Sequence, residues 1–373
     1  MHRAATITLA MALLLAGCAT PDGQATPPLQ GVAVPDVVDV PGADVQDADV
    51  QDADVQGAPV DAATGLAISR DALLSRMSDA AVVYLAEKHD NSHHHRLQLW
   101  SLRELIARGH RPSLGFEMFS TSETSALMEF TAAEPHPAKS DPVKSDPATV
   151  RLQRATGMQS SDDVRWSRYG PLLQLAREHK LTVFGIDLPI PLRRRVSRVG
   201  IDGLTPMERS ALPALDDQHL GHDDASAYRE QMLSRLKAAH CGYGSRAYLQ
   251  RLLQNWQARN ETMALAIATA TTAATMASGR GNTPVLVVLG GQHVRNGQGV
   301  VPRLARHLPG ARQLIVSFIE TDEHHALTTG RTRRSTDAAG NSSQYTEVLW
   351  ATAPLGQSME DACKAFQQVK KKA

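Results

Sequence analysis

Six apolar runs of strand length constrain this chain more than any other feature. They lie at 81–86 (AVVYLA), 113–116 (SLGF, leading to Glu117), 181–186 (LTVFGI), 284–289 (PVLVVL), 313–319 (QLIVSFI) and 346–351 (TEVLWA). Their hydrophobicity is nearly continuous rather than alternating. A strand apolar on both faces must be covered on both faces, which is the situation of a parallel sheet buried between helices. Helical patterns separate the runs. Residues 93–108 repeat Leu97, Leu102 and Ile106 along one face, and Ser120-Thr121-Ser122-Glu123 forms a capping box that opens a helix through Phe130. Further helices are expected at 169–179 and 300–307. Residues 190–278 contain no strand pattern and hold helices at 206–212, 225–240 and 246–278. The expected fold is therefore α/β: an open, mainly parallel sheet with helices on both faces, plus an inserted helical subdomain at about 190–278. Residues 134–150, with two Lys-Ser-Asp-Pro repeats, read as a Pro-rich surface loop.

The first 66 residues do not belong to that fold. Arg3 followed by the apolar stretch 4–16 reads as an export signal, too short to span a bilayer. It ends in Leu15-Ala16-Gly17-Cys18, which resembles a bacterial lipobox, so Cys18 is expected to be lipidated and to hold the protein at a membrane surface. Ala19, rather than Asp, follows the cysteine. By resemblance to the bacterial sorting rule, that implies an outer-membrane anchor facing the periplasm. Residues 19–66 contain no Lys or Arg and carry a near-perfect Asp-Val-Gln-Asp-Ala repeat from Asp44 onward. Such a segment repels itself and cannot bury a core, so it reads as a disordered acidic linker.

Charge is then unevenly divided. The whole chain has 39 Lys+Arg against 39 Asp+Glu, but residues 1–69 carry one Arg against nine Asp, net −8. Residues 70–373 must carry +8, which suits an anionic ligand. Overall neutrality argues against a dedicated nucleic-acid binder. Three cysteines exclude a disulfide framework; Cys241 and Cys363 either pair in an oxidising compartment or stay as two buried thiols.

Chemistry is concentrated where the strands end. The first run leads into Glu87-Lys88-His89-Asp90, the second into Glu117, the third into Asp187-Leu188-Pro189, the fourth into Gly290-Gly291-Gln292-His293. In open parallel sheets, ligands bind at the carboxyl ends of strands, so these groups are expected to converge on one rim. Glu87, His89, Glu117 and His293 form an imidazole–carboxylate set that suits a divalent transition metal such as Zn, Mn or Co. Histidine could equally serve as a base or bind a carboxylate. Of His93-His94-His95, one is expected to turn inward, His94 or His95 rather than His93. There is no G-x-G-x-x-G after a strand, no P-loop and no G-x-S-x-G elbow.

Several blocks resemble one family. They are Val83-Tyr84-Leu85-Ala86-Glu87-Lys88-His89-Asp90-Asn91 with His94-His95-Arg96-Leu97-Gln98; Phe116-Glu117-Met118; Trp166 with Tyr169-Gly170-Pro171-Leu172; and Leu188-Pro189 with Arg194-Arg195-Val196. The others are His240-Cys241-Gly242, Gln257-Ala258-Arg259-Asn260, Gly291-Gln292-His293-Val294-Arg295 and Asp361-Ala362-Cys363. Residues 67–373 thus resemble the ChaN haem-binding lipoproteins, in the superfamily that includes Tiki metalloproteases and erythromycin esterases. Ala86 stands where that family prefers Gly, Lys88 where Gln is usual, and Asn260 where Asp is frequent. Lys88 would oppose a divalent metal but suit a haem propionate.

The resemblance implies haem held at a homodimer interface, with tyrosine on the iron and His or Lys on the propionates. It points to Glu87, Lys88, His89, His94, Tyr169, Arg259 and His293 as haem-binding residues. Tyr169 is the foremost iron ligand, with Tyr243 and Tyr248 as alternatives. A periplasmic role in haem or iron uptake, with transport components as partners, would follow. The alternative is a metal-dependent hydrolase of the protease or esterase type using Glu87, His89, Glu117 and His293. A metal-free esterase would instead let His293 or His89 deprotonate water.

Overall fold

The computed structural model describes residues 57–134, 146–158, 163–215, 225–278, 283–320, 345–355, 363–364 and 367. The chain divides into two units, residues 1–49 and 50–373. The first lies wholly outside the described residues, as do Cys18, the linker through residue 56 and most of the Lys-Ser-Asp-Pro repeats.

Seven strands and ten α-helices are described. The strands are β1 (Val60–Asp61), β2 (Val82–Glu87), β3 (Ser113–Ser120), β4 (Val183–Asp187), β5 (Val285–Gly290), β6 (Gln313–Glu320) and β7 (Tyr345–Thr352). The helices are α1 (Arg70–Asp79), α2 (Ser92–Ala107), α3 (Thr124–Ala132), α4 (Pro147–Thr156), α5 (Val164–Glu178), α6 (Ile190–Val199), α7 (Pro206–Ser210), α8 (Ala225–Ala239), α9 (Arg246–Ser278) and α10 (Val300–His307). Several helices begin where a short polar side chain accepts from a first-turn N–H: Ser69, Asn91, Asp146, Asp163 and Thr205. The capping box at Ser120 is present, with Glu123 accepting from the Ser120 N–H at 2.6 Å.

The strands form one sheet in the order β1-β7-β6-β2-β5-β3-β4. All neighbours are parallel except β1, which pairs antiparallel with β7. All six apolar runs are strands, and the sheet is covered on both sides. On one side, α1 to α5 pack Leu74, Leu102, Phe130 and Leu173 against Val83, Leu85, Leu286 and Val316. On the other, α9 and α10 pack Met263, Ile267, Val300 and Leu304 against Val82, Tyr84, Val287 and Ile315. Each fully buried Val, Leu or Ile contributes about 1.5–3 kcal/mol, so the two-sided cover is what makes unbroken apolar strands stable.

Three expectations need adjusting. The linker does not reach residue 66: Val60–Asp61 is already the edge strand, tied in by Ala62 N–H to Glu347 O at 3.0 Å. β3 does not end at Glu117 but runs to Ser120 through an irregularity in its pairing with β4. Residues 190–278 hold helices alone among the described residues, yet α9 is not detached from the sheet. Its later residues form the layer over one sheet face. Only α8 and the first turns of α9 make a separate small core, from Met232, Leu233, Leu249 and Leu253. Cys241, in the turn between them, is disulfide-bonded to Cys363, 122 residues away.

Candidate functional site

β2, β5, β3 and β4 are consecutive neighbours, so Glu87, Gly290, Glu117 and Asp187 share one carboxyl edge. Register places Glu87 level with Gly290 and Ser120 level with Asp187. Strand parity sends the carboxylates opposite ways. Glu87 follows Val83 and Leu85 onto the α2–α5 side. Glu117, next to core-facing Phe116, turns toward α9.

Glu87 is buried and fully engaged. Its Oε1 accepts from His89 Nδ1 at 2.7 Å and from the Tyr169 hydroxyl; its Oε2 accepts from Gln98 Nε2 at 2.6 Å. His95 Nε2 lies 3.4 Å from Oε2, buried and without a hydrogen-bond partner. Burial alone would raise the Glu87 pKa, but the His89 bond, the charges of His95 and His89, and the Tyr169 hydroxyl hold it at about 2. His89 answers this. Burial would lower its pKa, but the Glu87 bond and the charges of Glu117 and Glu87 lift it to about 9, so it is a cation at neutral pH. Its side chain is 43% exposed, against 0% for Glu87, so His89 carries the network to solvent.

Glu117 is the second centre. Its Oε2 accepts from Gly290 N–H at 2.6 Å, and its Oε1 accepts from Arg259 Nη2 at 2.7 Å with His293 Nε2 at 3.2 Å. Desolvation opposes its charge, but His293, His89 and Arg259 hold its pKa well below the carboxylate range. Arg259 also bonds Asp187 through Nε at 2.8 Å and Nη2 at 3.0 Å. Arg193 adds a 2.5 Å contact to Asp187, and the Leu188 N–H another at 2.8 Å. Asn260 donates to Trp256 O at 2.6 Å, which aims its Oδ1 at His293 Nδ1, 3.0 Å away. Gly290 leaves room for His89, because a Cβ on it would sit 2.9 Å from His89 Nε2 and 3.4 Å from Glu117 Oε2, and the imidazole would have to shift. The same spacing shows His89 passing from Glu87 toward Glu117.

Glu87, His89, Glu117, Arg259 and His293 are thus brought together. Three expected residues are not used as the sequence suggested. Lys88 turns away from Glu87: its ammonium bonds Glu320 at 2.9 and 3.1 Å and Leu355 O at 2.7 Å. His94 points into the protein, where its Nδ1 accepts from the Lys88 N–H and its Nε2 meets the Thr352 hydroxyl, each at 2.9 Å. Burial drives its pKa down to about 3, so it is a neutral structural imidazole. Tyr169 is 1% exposed with its hydroxyl spent on Glu87, and burial raises its pKa well above the usual value. An iron ligand must be a reachable phenolate; Tyr169 is a support for Glu87 instead. The metal set also fails. Among the described residues no group of three or more His, Cys, Asp and Glu is arranged to hold an ion. Arg259 supplies the positive charge between Glu117 and Asp187 that a metal would otherwise bring.

Of the two inward candidates, His94 and His95, it is His95 that reaches the site; Gln98 and Asn260 stood in matching blocks without a role, and Arg193 was missed. His95 and Gln98 are three apart on α2, so one helix face delivers both to Glu87. The cations were foreseeable from charge alone, since three buried carboxylates on one rim cannot persist unpaired.

The profile of a family described as "Haem-binding uptake, Tiki superfamily, ChaN" matches residues 73–304, a span that contains every strand-edge group above. Among solved structures, ChaN of Campylobacter jejuni, described as binding haem cofacially, aligns over 78% of this chain and 96% of its own. It has 14% identity and a TM-score of 0.50. The type III effector HopBA1 aligns over 81% and 98%, at 16% identity and a TM-score of 0.37. A mutant erythromycin esterase, EreC, in its open conformation, aligns over 67% and 72%, at 15% identity and a TM-score of 0.35. No curated protein matches the chain in sequence.

Proposed function

The chain belongs to the haem-binding uptake family of the Tiki superfamily, ChaN, and on that premise we propose that it is a lipid-tethered periplasmic haem carrier serving haem or iron uptake. The observation that carries the reading is that the family match spans the whole strand-edge network, from Glu87 to His293. Within that network His89 is a solvent-reaching cation at neutral pH, which fits a haem carboxylate. Arg259 and His293 lie behind it and hold Glu117 ionised. With Tyr169 enclosed, the tyrosines left for the iron include Tyr243, which is 40% exposed. Haem is cargo here, and the residues orient and neutralise it rather than transform it. Haem at the interface of a homodimer, and transport components that receive it, complete the reading on family grounds.

The export signal and Cys18 support an outer-membrane anchor on the periplasmic side. The Cys241–Cys363 disulfide is in keeping with an oxidising compartment. Hemin titrated into the purified chain tests the central statement: a saturable Soret shift is expected, and a spectrum equal to that of free hemin refutes it. Fractionation of cells expressing the full chain tests the anchor, with Cys18→Ala expected to move the protein from the membrane to the soluble periplasmic fraction.

A further inference from the structure

Helix α6 carries Arg193, Arg194, Arg195 and Arg198 and no acidic residue. The four are treated differently. Arg193 turns inward to Asp187, and Arg195 pairs with Glu208 at 2.9 Å. Arg194 and Arg198 are exposed, and neither pairs with a carboxylate among the described residues. Asp202, in the turn beyond the helix, is exposed and joins neither. Arg194 and Arg198 are four residues apart, so they stand one turn apart on the same helix face, where like charges repel each other. Arg251 of α9 reaches the same helix, bonding Ser197 O at 3.4 Å, and it too is neutralised by no carboxylate there.

This ridge adjoins the candidate site. α6 begins three residues after Asp187, and Arg193 is itself a member of the network. Two unneutralised guanidiniums at fixed helical spacing match a ligand with two carboxylates on one edge, since a guanidinium binds a carboxylate through paired N–H donors.

We propose that Arg194 and Arg198 form a docking ridge for the two propionates of haem, a second anionic subsite beside the Asp187–Arg193 end of the strand-edge network. It rests on the haem reading above. The pair attracts and orients the dianionic edge of the porphyrin, and leaves the rest of the macrocycle to the strand-edge side.

The experiment uses the full chain and measures hemin affinity by Soret titration for three proteins: wild type, Arg194→Gln/Arg198→Gln, and the control Arg151→Gln/Arg154→Gln on α4. All three are repeated with an iron porphyrin whose propionates are methyl esters. The ridge variant is expected to bind hemin about tenfold more weakly, the combined effect of two partly exposed charge-assisted contacts. The control, which removes the same charge elsewhere, is expected to match wild type. The ester is expected to bind wild type and ridge variant equally. Both variants alter exposed side chains, and a circular dichroism spectrum equal to wild type's verifies folding. Equal hemin affinity of wild type and ridge variant overturns the ridge alone, as does equal weakening in the control. If wild type itself shows no saturable hemin binding, the haem reading falls and takes the ridge with it.

Discussion

Arg259 is the cation on which the strand edge depends, and its removal gives the sharpest test of the site. Arg259→Ala deletes contacts of 2.8 and 3.0 Å to Asp187 and of 2.7 Å to Glu117. Asp187 keeps Arg193 and the Leu188 N–H, so its loss is small. Glu117 keeps the Gly290 N–H and His293 but loses the one guanidinium it has among the described residues. Breaking a buried pair costs about 3–5 kcal/mol, and the partners that remain put this case near 3 kcal/mol at pH 7.5. The pH dependence has a definite sign. In the wild type the Glu117 pKa is depressed, so its contribution is present above the unfolded carboxyl pKa and lost as pH falls through the folded value. In the variant that pKa rises, and a protonated Glu117 needs no cation. The deficit between the two proteins should shrink by about 1 kcal/mol or more between pH 7.5 and pH 4.5. Urea unfolding followed by tryptophan fluorescence measures this, in a cycle with Glu117→Gln and the double variant. A coupling of about 2 kcal/mol is expected. Additivity within about 0.5 kcal/mol, or a deficit that does not change with pH, refutes the assignment of Arg259 as the counter-ion of Glu117.

Other perturbations probe separate parts of the structure. Tyr169→Phe removes a donor to a buried carboxylate and should cost about 1.5–3 kcal/mol in urea unfolding; the Soret band of its hemin complex should stay at the wild-type position, and a shifted band would restore Tyr169 as an iron ligand. Gly290→Ala drives a Cβ to 2.9 Å from His89 Nε2, and weaker hemin binding with the circular dichroism spectrum retained is the expected result. Stability should peak near pH 6.5. Below it, His94, held neutral with a pKa of about 3, costs up to about 1.4 kcal/mol per pH unit as the unfolded chain takes up a proton. Above it, stability falls as pH rises toward 9, because the raised pKa of His89 gives stability only while that group is protonated; His89→Gln should flatten this alkaline limb. Cys241→Ser/Cys363→Ser opens a link across 122 residues and should cost about 5 kcal/mol by chain entropy, read from the urea midpoint.

The sheet was legible because two-sided burial writes itself into sequence as unbroken apolar runs, and β2, β5 and β6 are buried at nearly every position. The rim was legible for the same reason: a carboxylate directly after such a run has nowhere else to be. What could not be read was direction. Lys88 lies between two site residues yet bonds Glu320, more than 200 positions away in sequence, and nothing local to Lys88 announces that partner. His94 and His95 are adjacent on one helix, and the roughly 100° between them separates a packed structural imidazole from one that faces Glu87. Tyr169 illustrates the same limit. Its neighbours Gly170 and Pro171 matched a family block, but only the packing of α5 on β2 shows the hydroxyl to be consumed internally.

The internal closure of this network bears on what the site can do. Glu87, Glu117 and Asp187 are each paired with residues of the chain itself, so the rim is charge-balanced as it stands. A divalent ion entering between them would have to displace Arg259 or His89 and leave that cation without its carboxylate. A dianionic ligand approaching from outside meets no such exchange, since it adds its charge to groups at the margin: half-exposed His89 and, on the proposal above, Arg194 and Arg198. On the haem reading proposed above, burying three acids with their own counter-ions leaves a positively fringed rim that suits an anion better than a metal. The two cases separate in a single measurement. Raising the concentration of a divalent metal such as zinc should leave hemin affinity unchanged, whereas raising salt should weaken it, because only the exposed fringe is screened. Competition by the metal with no response to salt would reverse the assignment.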